Sequence, residues 1–183
     1  SDIYGPAAYR DIRALELHDD TNPADARDTD YVVDPDIIMI YAGLNDHNTS
    51  WMTIGTFEAI NFDTLITVNG AGTYTYATPA TFAEAYAIMI HKIVTRYSSA
   101  DVFIANLPAG VFETTNDPVE INDAIAKIAA KYGATLIDFY GTELSGTQYS
   151  TYAFDRIHPK KAGMTILANK ATEAINAKYA SAE

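Results

Sequence analysis

Three runs of the chain are dominated by apolar residues. Asp36-Ile37-Ile38-Met39-Ile40-Tyr41-Ala42 ends at Gly43. Asp101-Val102-Phe103-Ile104-Ala105-Asn106-Leu107 stops at Pro108, and Ala134-Thr135-Leu136-Ile137-Asp138-Phe139-Tyr140 stops at Gly141. A strand with one wet face alternates polar and apolar residues, whereas a strand covered on both faces has no reason to. The runs therefore predict buried strands of a parallel sheet. Between them the period changes to that of a helix. Phe82, Tyr86, Met89, Ile93 and Tyr97 fall on one helical face, and so do Ile121, Ile125, Ile128 and Tyr132. Asp117 as N-cap, Pro118 at the first helical position and Glu120 beyond it predict where the second helix begins, and Gly133 predicts its end. Met164, Leu167, Ala171 and Ile175 mark a last helix after Pro159.

From residue 36 the order is strand, insertion, helix, strand, helix, strand, loop, helix. Such alternation predicts an α/β protein with a parallel sheet and helices on both faces, whose site lies at the C-terminal ends of the strands. The insertion at about 48–79 is rich in Thr, Gly, Tyr and Asn. Residues 64–68 and 73–76 predict a hairpin about Asn69-Gly70. The insertion either walls a substrate cleft or is a surface excursion. Residues 8–17 suit a helix and residues 18–29 a polar, acidic loop, but no strand is legible before residue 36. A sheet of three strands leaves an apolar edge unpaired. Residues 1–183 are thus read as one domain, N-terminally incomplete, with further strands expected upstream of Ser1.

Charge removes some functions. The chain of 183 residues carries a formal charge of −12. That is the wrong sign for a nucleic-acid partner or an anionic membrane surface. It contains no cysteine, so thiol nucleophiles, disulfides and thiolate metal sites are excluded. No apolar run approaches the roughly 20 residues of a membrane span, so no integral membrane segment is expected.

The candidate chemistry sits in two short stretches. Asp155-Arg156-Ile157-His158-Pro159 places a carboxylate three residues before an imidazole, ahead of the last helix. An Asp that orients a His makes a general base; the alternative for each is capping or surface exposure at a helix start. Gly43-Leu44-Asn45-Asp46 follows the first strand. An Asn at a strand end can donate a hydrogen bond to an oxyanion, or simply cap the turn. Gly43 and Asp46 are read as support for that turn. His47 is read as a substrate-binding neighbour or as an exposed loop histidine. His18 and His91 have no partner pattern, and the histidines lack metal-ligand spacing, so neither metal nor cofactor is expected. Ser1, Ser50, Ser98, Ser99, Ser145, Ser150 and Ser181 are the available hydroxyls. None stands in a Gly-x-Ser-x-Gly elbow, and no nucleophile is identified among them.

Over about residues 36–178 these motifs resemble the GDSL-like lipase/acylhydrolases, also called SGNH hydrolases. The family's third block, Gly-x-Asn-Asp, stands as residues 43–46. Its last block, Asp-x-x-His, stands as residues 155–158, with Pro159 and Gly163 beyond. Ile54-Gly55-Thr56 and the helix from Thr81 also fall where the family has similar text. The resemblance implies a three-layer α/β/α, flavodoxin-like fold. It implies a serine ester hydrolase in which His158 is the base, Asp155 its orienting acid and Asn45 an oxyanion donor. It implies a small ester or acylated carbohydrate as partner, and many members of the family are exported from bacteria. The family's first block, Gly-Asp-Ser, is missing from the 183 residues. Two readings stay open: a hydrolase whose serine lies upstream of this chain, or a binding module that has lost its nucleophile. A flavodoxin-like nucleotide binder is disfavoured, because no glycine-rich phosphate loop joins a strand to a helix.

Overall fold

The computed structural model describes residues 35–48, 53–109, 118–142, 144, 149–154 and 158–180. In chain order its elements are strand β1 (Ile37–Tyr41), the single-turn helix α1 (Leu44–Asn48), a 3-10 turn (Phe57–Ala59), helix α2 (Phe62–Leu65), strands β2 (Ile66–Val68) and β3 (Tyr74–Tyr76), and helix α3 (Phe82–Arg96). Strand β4 (Asp101–Ala105), helix α4 (Val119–Lys131), strand β5 (Thr135–Ile137), helix α5 (Tyr149–Tyr152) and helix α6 (Lys161–Ala180) follow. β1, β4 and β5 form a parallel sheet in the order β1-β4-β5, with Ile37 opposite Asp101 and Phe103 opposite Thr135.

The pleat sorts these strands into two faces. Ile38, Ile40, Val102, Ile104 and Leu136 meet α3 and α4, where Phe82, Tyr86, Met89, Ile121, Ile125 and Ile128 are buried. Phe103, Ala105, Ile137 and Phe139 meet Leu167, Ala171, Ala174 and Ile175 of α6. β4 is covered on both faces, which explains its unbroken apolar run. β1 has the same composition but not the same cover. Among the described residues it is an edge strand, and Ile37, Met39 and Tyr41 are 42%, 53% and 48% exposed. Met164 is exposed as well, so the inward stripe of α6 begins at Leu167. None of the described helices is long and apolar enough to cross a membrane.

Local signals account for most element ends. Thr81 and Glu84 form a reciprocal capping box at the start of α3. At the end of α4 the N–H of Gly133 donates to Ala130 and that of Ala134 to Ala129, the paired bonds of a Schellman stop. Pro118 sits at the N-cap of α4, one position earlier than expected, and its side chain offers no cap bond. Asp117 lies outside the described residues. The hairpin β2-β3 forms as predicted, but its turn is longer than an Asn-Gly pair. The Asn69 side chain accepts the N–H groups of Ala71 and Thr73, and Gly72 rather than Gly70 takes the positive φ.

The hairpin packs on the helix layer. Tyr74 and Tyr76 lie edge-on to His91 at centroid distances of 4.6 and 5.8 Å, and Tyr132 at 5.7 Å adds a third ring. The Tyr76 hydroxyl is 3.1 Å from His91 Nδ1. His91 is nine residues past Phe82, about 13 Å down α3 from the strand ends. The hairpin's rings therefore do not wall the strand-end cleft. They partly cover the imidazole, which sequence pattern had left without a partner. Nearby, Lys127 pairs with Glu58 and Lys131 lies 4.0 Å over the Phe62 ring, fixing more of the insertion to α4.

Two polar side chains are built into the sheet end. Buried Asn122 on α4 accepts the Leu107 N–H and donates to the Leu107 carbonyl, both at 2.8 Å. Asn106 Oδ1 accepts the N–H groups of Phe139 at 2.6 Å and Tyr140 at 3.0 Å, while its Nδ2 donates to Asp138 at 2.8 Å.

Asn122→Ala leaves both backbone groups of Leu107 buried and unpaired. It is expected to lower the unfolding free energy by about 2–4 kcal/mol, measured by denaturant titration. A loss below about 0.5 kcal/mol, the size of an ordinary surface change, contradicts this account. A second expectation concerns pH. Burial holds His91 below the ordinary histidine value of 6.5, so the fold favours the neutral ring. The Tyr74, Tyr76 and Tyr132 rings surround it, and Lys92 reaches over Tyr76 at 4.9 Å. This contribution is complete above pH 6.5 and is lost as pH falls through the lower folded-state value. Thermal unfolding from about pH 7.5 to pH 5 should show a shallower fall for His91→Gln than for the parent. Equal slopes refute it.

Candidate active site

β1 and β4 are parallel, so both point their C-terminal ends at one edge of the molecule. Gly43 leaves β1 there with φ at +111°, a conformation that L side chains rarely adopt. It is also crowded: a Cβ at this position would stand 3.1 Å from Phe82 Cζ and 3.3 Å from Ile121 Cδ1. The chain can turn this close to α3 and α4 only with glycine. α1 follows at once, closed by the His47 N–H donating to the Gly43 carbonyl at 2.9 Å. Residues 44–47 thus form a helical turn where the sequence suggested a loop. Asp46 is buried, Leu44 and His47 are half-buried, and Asn45 is exposed.

The second stretch is a turn closed from both sides. The Phe154 N–H donates to the His158 carbonyl at 2.9 Å, Ala153 and Pro159 form an antiparallel bridge, and the Lys160 N–H donates to the Tyr152 carbonyl at 2.6 Å. His158 is exposed at this turn and α6 begins three residues later. Gly163 permits the closure, because a Cβ there would stand 2.7 Å from the Tyr152 carbonyl oxygen. Asp155 lies outside the described residues.

The two turns share an apolar support. Leu144 and Ala153 form a small buried cluster, and Leu44, Tyr152, Ile166 and Leu167 pack against it. Leu44 precedes Asn45, and Ala153 is bridged to the residue after His158. The fold therefore brings the Asn45 turn and the His158 turn to one cluster at the strand-end edge. Other candidates are elsewhere. His91 is held by the hairpin, and Ser98 and Ser99 lie between α3 and β4, at the opposite end of the strands. Ser150 is on α5, and His18, Ser1, Ser50, Ser145 and Ser181 lie outside the described residues. Among the described residues no group of three or more His, Asp or Glu side chains could hold a metal ion.

Sequence reasoning missed the supporting residues. Asn106 was legible only as the polar residue in an apolar run, Asp138 only as a break in another, and Asn122 only as a polar residue between Ile121 and Ile125. Leu144 carried no signal, since a lone leucine in a loop has no period.

The family model for the GDSL-like lipase/acylhydrolase family matches residues 13–166. No curated protein matches the chain in sequence. A candidate GDSL-like lipase from Parabacteroides merdae is similar in fold, with a TM-score of 0.58 and 14% identity over 91% of this chain and 67% of its own. So are a mutant of Axe2, an acetyl-xylooligosaccharide esterase from Geobacillus stearmophilus (0.51, 17%, 90% and 67%), and the acetyl xylan esterase AlAXEase (0.50, 17%, 78% and 68%). At these identities the likeness speaks for the fold. With the family model spanning most of its length and its parallel sheet layered between helices, the chain belongs to the GDSL-like lipase/acylhydrolase family of ester hydrolases and has the flavodoxin-like α/β/α fold of the SGNH hydrolases.

Proposed function

We propose that the protein is a serine ester hydrolase acting on small acyl esters, with acetylated carbohydrate as the favoured class. The observation that carries this reading is the meeting of the Gly43-Asp46 turn and the His158 turn on one buried cluster at the C-terminal ends of the strands. His158 takes the proton from a serine hydroxyl as the oxygen attacks the ester carbonyl. Asp155 holds the imidazole in the required tautomer and stabilises its cation. Asn45 donates its side-chain N–H to the oxyanion of the tetrahedral intermediate. The intermediate collapses, His158 returns the proton to the departing alcohol, and water activated by the same imidazole releases the acid from the acyl-enzyme. Gly43 and Asp46 hold the oxyanion turn, and His47 borders it on the substrate side.

The serine has no assigned position in this chain, and the reading takes it from a segment upstream of Ser1. The acetylated-sugar preference rests on the acidic composition and on the esterases that share the fold. No step uses a metal or a cofactor.

The test uses the full-length protein. A fluorophosphonate probe should label a serine, and peptide mapping should locate it. Labelling and hydrolysis of p-nitrophenyl acetate should both disappear in His158→Ala. Asn45→Ala should retain the fold and lose about 100-fold in kcat, the usual cost of one oxyanion donor. A full-length protein that is neither labelled nor active, yet binds acetylated xylooligosaccharide, would instead be a binding module without a nucleophile.

A further inference from the structure

The Asn45 turn and the His158 turn come from opposite ends of the described chain, and the site needs them in register. We propose that Leu144 is the positioning residue that holds them so, an inference that rests on reading Asn45 and His158 as partners in one site.

Leu144 belongs to the connection between β5 and α5, where connecting residues are ordinarily exposed. Its side chain is nonetheless fully buried. It is also delivered from a fixed base. The N–H groups of Phe139 and Tyr140 are held by Asn106, and Asp138 Oδ1 accepts both the Asn106 amide and the Gly141 N–H. The Thr142 N–H and hydroxyl both donate to the Phe139 carbonyl, at 3.2 and 2.7 Å. Residues 138–142 are thereby tied to the end of β4, and Leu144 follows two residues on.

From that base Leu144 forms a cluster with Ala153, and Leu44 packs against it. Leu44 is the residue before Asn45. Ala153 is bridged to Pro159, the residue after His158. Leu167 belongs both to this cluster and to the layer between α6 and the sheet, so the cluster is continuous with the core. Protein interiors are close-packed, and a change of volume at such a point shifts its neighbours. Removing part of Leu144 therefore moves the general base and the oxyanion donor relative to each other. A misplacement of about 1 Å in such a pair costs on the order of 100-fold in rate.

A plain core role would lower stability without that consequence, and the experiment separates the two. Leu144→Ala is compared with Leu144→Met, which nearly conserves volume, and with Ile128→Ala, a fully buried deletion in the core cluster between the sheet and helices α3 and α4. Each variant is studied by NMR under conditions where denaturant titration shows it folded. The readouts are the Asn45 side-chain amide signals and the ring-proton signals of His158. Leu144→Ala should displace both, Leu144→Met should restore both, and Ile128→Ala should leave both in place. Where ester turnover is measured, Leu144→Ala should lower kcat about 100-fold with KM changed less than about twofold. Displacement of one reporter alone, of neither, or of both equally in Ile128→Ala overturns the proposal. If Leu144→Ala does not fold, Leu44→Ala approaches the same cluster from the oxyanion turn. It should move the His158 ring-proton signals, and unchanged signals are equally fatal. Coupled signals in a protein that hydrolyses no ester would leave this inference standing and remove the hydrolase reading.

Discussion

The structure depends on how its central strand ends. β4 is buried on both faces, so the chain leaves it inside the protein, where backbone N–H and carbonyl groups cannot turn to water. Leu107 solves this with a side chain: the Asn122 amide meets its donor and its acceptor as a neighbouring strand would. Asn106 does the same service for Phe139 and Tyr140 beyond β5. The net gain per bond is about 1 kcal/mol, but an unmade bond costs about 1–3 kcal/mol, so avoidance of loss is the stronger constraint. Its structural effect is larger than its energy. It sets the height of α4 against the sheet and the path of the chain after β5. Gly43 then turns against Phe82 and Ile121, the first residue of α3 and an early residue of that same α4.

On this frame the proposed chemistry is assigned to exposed side chains on buried supports. Asn45 and His158 face solvent, whereas Leu44, Asp46 and Ala153 are wholly or partly buried. Two short, polar-tipped turns therefore need no extended elements of their own. Each is closed by a few backbone bonds, and each rests an apolar residue on the cluster around Leu144. Such turns tolerate change at their tips while the support fixes their position, which is how loops on a rigid sheet carry function.

Much of this was legible because the hydrophobic period reports directly on cover. The runs at 36–42, 101–107 and 134–140 gave the three parallel strands, and the stripes from Phe82 and Ile121 gave the two helices above them. The same signal misled where composition and cover part company. Ile37, Met39 and Tyr41 read as buried and are exposed, and Met164 read as part of a buried stripe and is not. Polar residues were the larger difficulty. Asn106, Asn122 and Asp138 sit where a pattern predicts core, and their partners lie 15 to 34 residues away. A one-dimensional pattern cannot pair them. His91 is similar: nothing local distinguishes it from a surface histidine, and only the returning hairpin supplies Tyr74 and Tyr76. The two candidate turns were singled out for a different reason, since their residue types at fixed spacing suit chemistry rather than packing, and there the family resemblance added what periodicity could not.

The hairpin also bears on where substrate selection arises. Its aromatic residues, which in a cleft would suit a sugar, are engaged with His91 and Tyr132 on the helix layer. They stand about 13 Å along α3 from the strand ends. In the proposed function, an ester at Asn45 and His158 is selected by the contacts that strengthen in its transition state. In the proposed site His47 lies in the same short helix as the oxyanion donor, and Phe154, whose side chain is exposed, closes the turn on His158 through its N–H. Among the described residues of the insertion, the hairpin and its flanks hold the helix layer, while Thr53 and Ile54 accept the Phe82 and Ala83 N–H groups at the start of α3.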